Sequence, residues 1–381
     1  MTTTAEAYDV VIVGAGIVGA ACADEFARRG MRVAVVDQEG IGSGATGAAM
    51  GHIVVMDDSE AQFALTRYSQ QLWQKLRSEL PEDVEYEVRG TIWIAADEGE
   101  MIEARRKRDY YVARGVPAQV LSSQDLRRLE PNLREGLVGG LLVPEDSVLY
   151  PPCAARFLIK RAQNSGAELR LGCSVVKIGE GEVRLADGSV ISAGIIVNAA
   201  GPNSPGLTPG LQIKKRKGHL GITGPSRGFA HHQLVELGYL KSAHAVASDS
   251  VAFNIQPRRN GQLVVGSSRQ YGAENTGVDD AVLSRMLERA QQYMPALKQM
   301  PLVRSWSGFR AATPDKLPLI GSWPDDKTLF IATGHEGLGI TTSLATARIL
   351  ADQITGKSAE IPVEPYWPSR MVTCEMPGGH R

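Results

Sequence analysis

The chain has 381 residues, 43% of them hydrophobic and 22% charged, which is ordinary for a globular protein and long enough for roughly two cores. Its 41 basic and 42 acidic side chains leave a net charge of -1, so no general field favours nucleic acid or an anionic membrane surface. The four cysteines, Cys22, Cys153, Cys173 and Cys374, form no C-x-x-C, which leaves no redox dithiol, zinc knuckle, iron–sulfur ligand set or disulfide framework.

No basic residue precedes the first apolar run, and no apolar stretch reaches the ~20 residues needed to span a bilayer. A reducing, cytoplasmic setting is expected. Tyr8 to Val13 reads as a strand buried on both faces, and it runs into Gly14-Ala15-Gly16-Ile17-Val18-Gly19. Ala20 to Arg29 reads as a helix stopped by Gly30, and Arg32 to Val36 as the next strand, completing a βαβ unit. Ala61 to Leu80 has helical spacing and ends at Pro81. Thr91 to Ala95 reads as a strand, Glu98 to Arg114 as a charged surface helix, and Ser122 to Asp125 as a capping box. The α/β pattern returns at Pro152 to Ser165, a helix with proline in its first turn, followed by strands joined at Asp187-Gly188. Ile195 to Gly201 is a buried strand ending in a glycine turn. Leu329 to Thr333 is another, followed by Gly334 and a helix from about Ile340 to Ile354. No internal repeat or low-complexity tract is present.

The fold expected is therefore α/β. A Rossmann-type dinucleotide domain comprises 1–85, 146–210 and 306–381, and a mixed α+β substrate domain of 86–145 and 211–305 is inserted into it. The basic run Lys214 to Lys217 is expected on a solvated loop or strand edge. His231, His232 and His244 lack metal-ligand spacing and are read as surface residues, with no metal expected.

Gly14, Gly16 and Gly19 make the turn tight, let backbone N–H groups approach a pyrophosphate, and let helix pack closely on strand. Asp37, at the end of the second strand, is placed to accept ribose hydroxyls. The glycine-rich stretch Ile41 to Gly51 allows backbone to approach a flat ring system or the phosphates, or else serves as a mobile connector. Gly337-Leu338-Gly339 before a helix would aim N–H groups at developing negative charge, with Thr341 adding a hydroxyl, unless these glycines are ordinary caps. Arg310 presents two parallel donors to a substrate carboxylate, or else pairs with Asp315. His52 and Glu336 are candidates for the reacting site, each with a loop, core or surface role as its alternative.

Ser307 to Gly321, reading Ser-Gly-Phe-Arg-Ala-Ala-Thr-Pro-Asp-Lys-Leu-Pro-Leu-Ile-Gly, and Gly334 to Thr341, reading Gly-His-Glu-Gly-Leu-Gly-Ile-Thr, resemble the C-terminal signature of the D-amino-acid oxidase superfamily. With the first glycine turn, the 41–51 stretch and Ala199-Ala200-Gly201, the resemblance runs from residue 9 to about 350. It implies non-covalently bound FAD, since some flavin-linking relatives carry a cysteine near the C-terminal motif and none lies between Cys173 and Cys374 here. It also implies cofactor contacts at Ile17, Val18, Gln38, Ser43, Gly44, Ala45, Thr46, Gly51, His52, Val175, Val176, Ala200, Gly201, Gly308, Arg310 and Gly334 through Thr341, His335 and Ile340 included. The form His-Glu-Gly-Leu-Gly-Ile-Thr-Thr resembles the flavin subunits of D-hydroxyproline dehydrogenase and of opine-degrading dehydrogenases. That branch implies oxidation of a Cα–N bond of an amino or imino acid beside small redox partner subunits. The competing readings are a stand-alone oxidase using oxygen, a non-catalytic flavoprotein scaffold, and a nicotinamide dehydrogenase.

Overall fold

The computed structural model describes residues 7–238 and 249–371. His244 and Cys374 lie outside the described residues. Two compact units divide the chain: 1–47, 152–214 and 310–381 in the first, 48–151 and 215–309 in the second. Residues 48–85, 146–151 and 306–309, expected with the dinucleotide domain, fall in the second unit, and 211–214, expected with the substrate domain, fall in the first.

In chain order the strands are β1 (Ala7–Val13), β2 (Val33–Asp37), β3 (His52–Ile53), β4 (Glu87–Val88), β5 (Thr91–Ala95), β6 (Gln119–Ser122), β7 (Gly139–Val143) and β8 (Ser147–Val148). Then come β9 (Glu168–Leu171), β10 (Val175–Gly179), β11 (Glu182–Leu185), β12 (Val190–Asn198), β13 (Lys214–Thr223), β14 (Gln233–Glu236), β15 (Ser250–Pro257) and β16 (Leu263–Arg269). The last three are β17 (Leu302–Ala312), β18 (Leu319–Trp323) and β19 (Asp326–Thr333). The helices are α1 (Ile17–Arg28), α2 (Gly44–Gly47), α3 (Glu60–Leu76), α4 (Glu98–Val112), α5 (Ser123–Leu129), α6 (Pro151–Asn164), α7 (Ser204–Leu207), α8 (Asp280–Tyr293) and α9 (Gly339–Ile354).

The first unit is built on a parallel array in the order β9-β2-β1-β12-β19. The outer edge of β12 is shared: β11 pairs antiparallel with its start and β19 parallel with its end. Val10, Val11, Ile12, Val33, Val35, Ile196 and Val197 are fully buried, as strands covered on both faces require, each contributing about 1.5–3 kcal/mol of burial. α1 packs on α9, and the small side chains Ala20, Ala23, Ala27, Ala345 and Ala347 of the two helices are buried. The Asp187-Gly188 turn joins β11 to β12, as expected.

The second unit holds a mixed sheet in the order β17-β13-β16-β15-β14-β5-β7-β6, with β5 parallel to β14, and a small antiparallel sheet, β3-β8-β4. Its core is Ile92, Ile94, Leu121, Phe253, Ile255, Tyr293 and their neighbours. α3 is capped by Ser59, whose hydroxyl accepts from Gln62 N–H at 3.1 Å, and buries Phe63, Leu65, Trp73 and Leu76. The expected capping box is present: Ser122 and Asp125 cap α5 reciprocally.

Three expectations are corrected here. α4 is not wholly a surface helix. Lys107 on it is fully buried against the rings of Trp93 and Tyr111, at 5.0 and 5.4 Å, and pairs with the buried carboxylate of Asp57. The basic run is not wholly solvated either. Lys214 and Lys215 are exposed, but β13 carries Lys217 into the sheet, where its backbone pairs with Gln270 and only 4% of the residue remains exposed. His232 is likewise tied down, its Nδ1 lying 2.7 Å from the buried carboxylate of Glu130.

Candidate functional site

The C-terminal ends of the parallel strands in the first unit bring together segments far apart in sequence: Gly14 after β1, Asp37 ending β2, Ala199–Gly201 after β12, and Gly334 after β19. Ligands of open α/β sheets bind at this edge. Gly14 has φ +112, and a Cβ there would lie 2.5 Å from the Ala199 carbonyl oxygen. At Gly19 a Cβ would lie 1.9 Å from the Gly14 carbonyl oxygen, so only glycine allows α1 to approach the strand end this closely. Gly16 stands at the N-cap of α1 and faces Thr46, whose hydroxyl accepts the Ile17 N–H at 2.9 Å. The next helical amides, at Val18 and Gly19, have no acceptor within α1 by helix geometry, which is the arrangement by which helix N-termini hold anions.

Asp37 has more than one task. One carboxylate oxygen accepts the Ala15 N–H at 2.7 Å and the other the Glu39 N–H at 2.8 Å, so Asp37 fixes the glycine turn besides leaving lone pairs for ribose hydroxyls. Gln38 follows it, exposed. Cys173 N–H donates to the Asp37 carbonyl at 3.0 Å, which sets Val175 and the 53%-exposed Val176 near the same corner.

Gly42 N–H donates to the Ala15 carbonyl at 2.9 Å, and Ser43, Gly44, Ala45 and Thr46 follow in α2 and its approach. This part of the 41–51 stretch is thus a fixed turn, not a mobile connector. Beyond Gly47 the chain enters the second unit. There Gly51 is required because a Cβ would lie 1.6 Å from the Leu149 carbonyl oxygen, in the β3–β8 pairing. Gly308 is required by Ala48, whose Cβ would lie 2.3 Å from one at that position. His52 opens β3, with its Nε2 3.4 Å from Asn254 Nδ2; desolvation outweighs a hydrogen bond to Gln233 and lowers its pKa to about 4, leaving it neutral.

The C-terminal elements converge within the first unit. An isolated bridge pairs Ala312 with His335, and Glu336 N–H donates to the Ala311 carbonyl at 2.8 Å. These contacts bring Arg310 against the turn before α9: a Cβ on Gly337 would lie 3.9 Å from Arg310 Nε and 4.0 Å from its Cδ. Asp315, the acid that offered Arg310 a structural role, is held by Arg370, with Nε 2.7 Å from Oδ2. Glu336 takes a left-handed φ of +50, and Gly334, with φ +82, sits where a Cβ would lie 2.7 Å from Thr313 Cγ2. Leu338 caps α9, Gly339 and Ile340 begin it, and Thr341 is fully buried.

Two residues not singled out from the sequence shape these turns. Asn198 donates to the Ser204 carbonyl at 3.1 Å and to the Thr208 hydroxyl at 2.9 Å, and accepts the Ala200 N–H at 3.2 Å. The signal was a polar residue ending an apolar run. Thr342 lies with its hydroxyl 2.9 Å from His335 Nδ1 and donates to the Leu338 carbonyl at 2.9 Å. Nothing in the sequence separates it from Thr341.

A glycine turn, a carboxylate at the end of the next strand and a second turn at a helix N-terminus, all at one parallel-sheet edge, define a dinucleotide-binding α/β protein. The sequence model of the FAD dependent oxidoreductase family, DAO, matches residues 9–353, and the chain belongs to that family. The glycine oxidase of Geobacillus kaustophilus (strain HTA426) is 29% identical over 372 residues, covering 94% of this chain and 96% of that protein. The crystal structure of glycine oxidase from Geobacillus kaustophilus superposes with a TM-score of 0.87 at 28% identity, covering 96% and 99% of the two chains. The L-proline dehydrogenase of P. horikoshii matches with a TM-score of 0.85 at 26% identity, over 96% of this chain and 98% of that one. The chain is thus an FAD-dependent oxidoreductase, and the glycines a Cβ would block, with the orphan amides beside them, fit that cofactor. Among the described residues no group of three or more histidine, cysteine or acidic side chains is arranged to hold a metal, and no helix is long and apolar enough to cross a membrane.

Proposed function

We propose that this chain oxidises the Cα–N bond of an amino or imino acid, with Arg310 binding the substrate carboxylate. The observation that carries this reading is the Arg310 side chain lying against Gly337, at the turn that opens α9. A guanidinium there offers two parallel donors and fixes the direction of the Cα–H bond. FAD supplies the two-electron acceptor: the substrate gives up a hydride from Cα and a proton from nitrogen, and leaves as an imine.

What the protein contributes is placement and charge. The amides of Val18 and Gly19, with Asp37, Gln38, Ser43–Thr46, Val175, Val176, Ala200 and Gly201, are assigned to the dinucleotide. Gly334 through Thr341 are assigned to the flavin, where the N-terminus of α9 favours negative charge. Glu336, its backbone strained beside Arg310, is assigned to the substrate amine. His52, neutral, is kept as a polar contact without charge. No protein nucleophile is needed.

Names among the relatives, glycine oxidase and L-proline dehydrogenase, span primary and secondary amines. Within that range we favour a cyclic imino acid, cis-4-hydroxy-D-proline, or an opine such as D-octopine, with this chain as the catalytic subunit beside small redox partners. Anaerobic mixing with each candidate should bleach the flavin absorbance of the true substrate. A flavin that none of them reduces overturns the substrate assignment. The likeness to glycine oxidases supports a second reading, an oxidase that works alone. Peroxide released by the isolated chain in step with substrate favours that reading, whereas turnover only with a dye or quinone favours the dehydrogenase.

A further inference from the structure

We propose that Arg370, in the segment after α9, is a positioning residue for the reaction: it closes the turn 313–318 and so holds the end of β17 on which Arg310 sits. This rests on the assignment of Arg310 to the substrate carboxylate. The Arg370 guanidinium is committed to that turn. Its Nε donates to Asp315 Oδ2 at 2.7 Å, and its Nη2 donates to Asp315 Oδ1 at 3.3 Å and to the Leu317 carbonyl at 2.7 Å. Nη1 donates to the Trp367 carbonyl of its own segment at 3.1 Å, which fixes the plane of the group. That segment is anchored as well: Tyr366 is fully buried, and a Cβ on Gly321 of β18 would lie 3.4 Å from Pro368 Cδ. An exposed ion pair alone would contribute little. Here only 19% of the arginine side chain is exposed, and its donors grip a carboxylate and a backbone carbonyl together.

The two residues it grips flank Lys316, whose φ of +65 lies in the left-handed region that a lysine seldom takes. Such backbone persists where its surroundings over-determine it. Within the turn, Thr313 Oγ1 donates to the Leu317 carbonyl at 2.8 Å and Leu317 N–H to Asp315 Oδ1 at 3.1 Å, so Arg370 completes a closed set of bonds. The turn then reaches the site from both of its ends. A Cβ on Gly334 would lie 2.7 Å from Thr313 Cγ2 and 3.7 Å from Pro318 Cα, so residues from both arms of the turn pack on Gly334. Just before Thr313, Ala312 bridges His335, and the Ala311 carbonyl accepts the Glu336 N–H at 2.8 Å. Arg310 is the next residue back along β17. A paired contact to a carboxylate tolerates little displacement, because both N–H groups must stay in line, and an ångström of misplacement can cost roughly 100-fold.

The test measures binding of pyrrole-2-carboxylate to the FAD-loaded protein by calorimetry. This probe has the carboxylate of a cyclic imino acid but no hydrogen to give up at the carbon that carries it. Arg370→Ala should weaken the probe about tenfold while FAD affinity stays within about twofold of wild type. Arg370→Lys, which keeps the charge but not the paired donors, should recover part of the loss. Probe affinity in Arg370→Ala within about twofold of wild type overturns the proposal. Equal weakening of probe and FAD also overturns it, because Arg370 would then only support the fold. Should Arg370→Ala fail to fold, Asp315→Asn keeps the shape of the acceptor and removes its charge. It should weaken the probe severalfold, and an unchanged affinity overturns the proposal. Should wild type not bind the probe, the amino or imino acid that bleaches the flavin takes its place. Its KM should rise about tenfold in Arg370→Ala, and an unchanged KM overturns the proposal. An Arg310→Ala protein that binds the carboxylate as tightly as wild type would instead overturn the underlying assignment, whatever Arg370 does.

Discussion

Gly19→Ala tests whether the approach of α1 to β1 is what builds the FAD cradle. A Cβ at this position would lie 1.9 Å from the Gly14 carbonyl oxygen, 3.0 Å from its carbon and 3.4 Å from Ile12 Cγ2. The two nearest of these atoms are backbone, so no side-chain rotation relieves the overlap. To clear it, α1 must retreat by about 1 Å, carrying its own fully buried Cys22 and Ala23 and pressing on the close-packed α9. Overpacking of this kind costs about 1–3 kcal/mol, offset by about 0.5–1 kcal/mol from replacing glycine inside a helix. Stability of the apoprotein should therefore fall only slightly. FAD binding should suffer more, because the Val18 and Gly19 amides move with the helix. Losing one hydrogen bond to a charged phosphate, about 1.5–3 kcal/mol, corresponds to roughly 10- to 150-fold in affinity. Calorimetric titration of the apoproteins measures this directly, and excess FAD should restore part of the lost melting temperature. Gly30→Ala is the control. Gly30, unlike Gly19, has a positive φ, +83, and nothing lies within 4 Å of its Cβ position, so strain of about 1–2 kcal/mol should leave FAD affinity untouched. An FAD affinity in Gly19→Ala within about twofold of wild type refutes the reasoning.

Arg310→Lys keeps the charge but loses the paired donors, and should raise KM for a carboxylate substrate by about tenfold or more while the bound flavin spectrum stays unchanged. Arg310→Ala should lose more, and an equal loss for amine substrates lacking a carboxylate would place Arg310 elsewhere in the mechanism. Asp146 is buried, and burial raises its pKa to about 7. Its folded form thus holds a proton that the unfolded form releases above the ordinary carboxylate range, and stability is lost as pH rises from about 4 through 7. Asp146→Asn keeps an acceptor for Val55 N–H and Gln70, so it should gain on wild type across that window by up to about 1.4 kcal/mol per pH unit in urea melts. A pH-independent difference would remove Asp146 from the titration. His52 and His335 act in the opposite sense: neutral when folded, they lend stability that is complete above about pH 6.5 and lost as pH falls toward 4 and 3. Finally, FAD should leave the chain on heat or acid denaturation, and fluorescence that stays with the precipitated protein would show a covalent link.

What the sequence displays well is what neighbours along the chain decide. The strand, the glycine turn, α1 and Asp37 lie within one stretch, and each residue's requirement is local: a tight turn, a close helix, an acceptor at a strand end. The capping box at Ser122 is legible for the same reason. The domain boundary is not. Phe63, Leu65, Trp73 and Leu76 announce that one face of α3 is buried, but their spacing does not say against what, and the face turns out to be covered in the second unit. Lys107 is hidden in the same way. It sits in a helix whose composition reads as solvated, and its burial depends on Asp57, Trp93 and Tyr111, which only the fold assembles. Asp37 shows a subtler limit, since a residue read as a ligand for ribose also holds its own turn closed, and the two tasks need the same two oxygens. The motif around His335 lies between these cases. Sequence marks the position, yet the burial of the ring and its contact with the Thr342 hydroxyl, 2.9 Å from Nδ1, come only with the fold. A change at Thr342, which no motif singles out, would therefore remove that contact while leaving the motif intact.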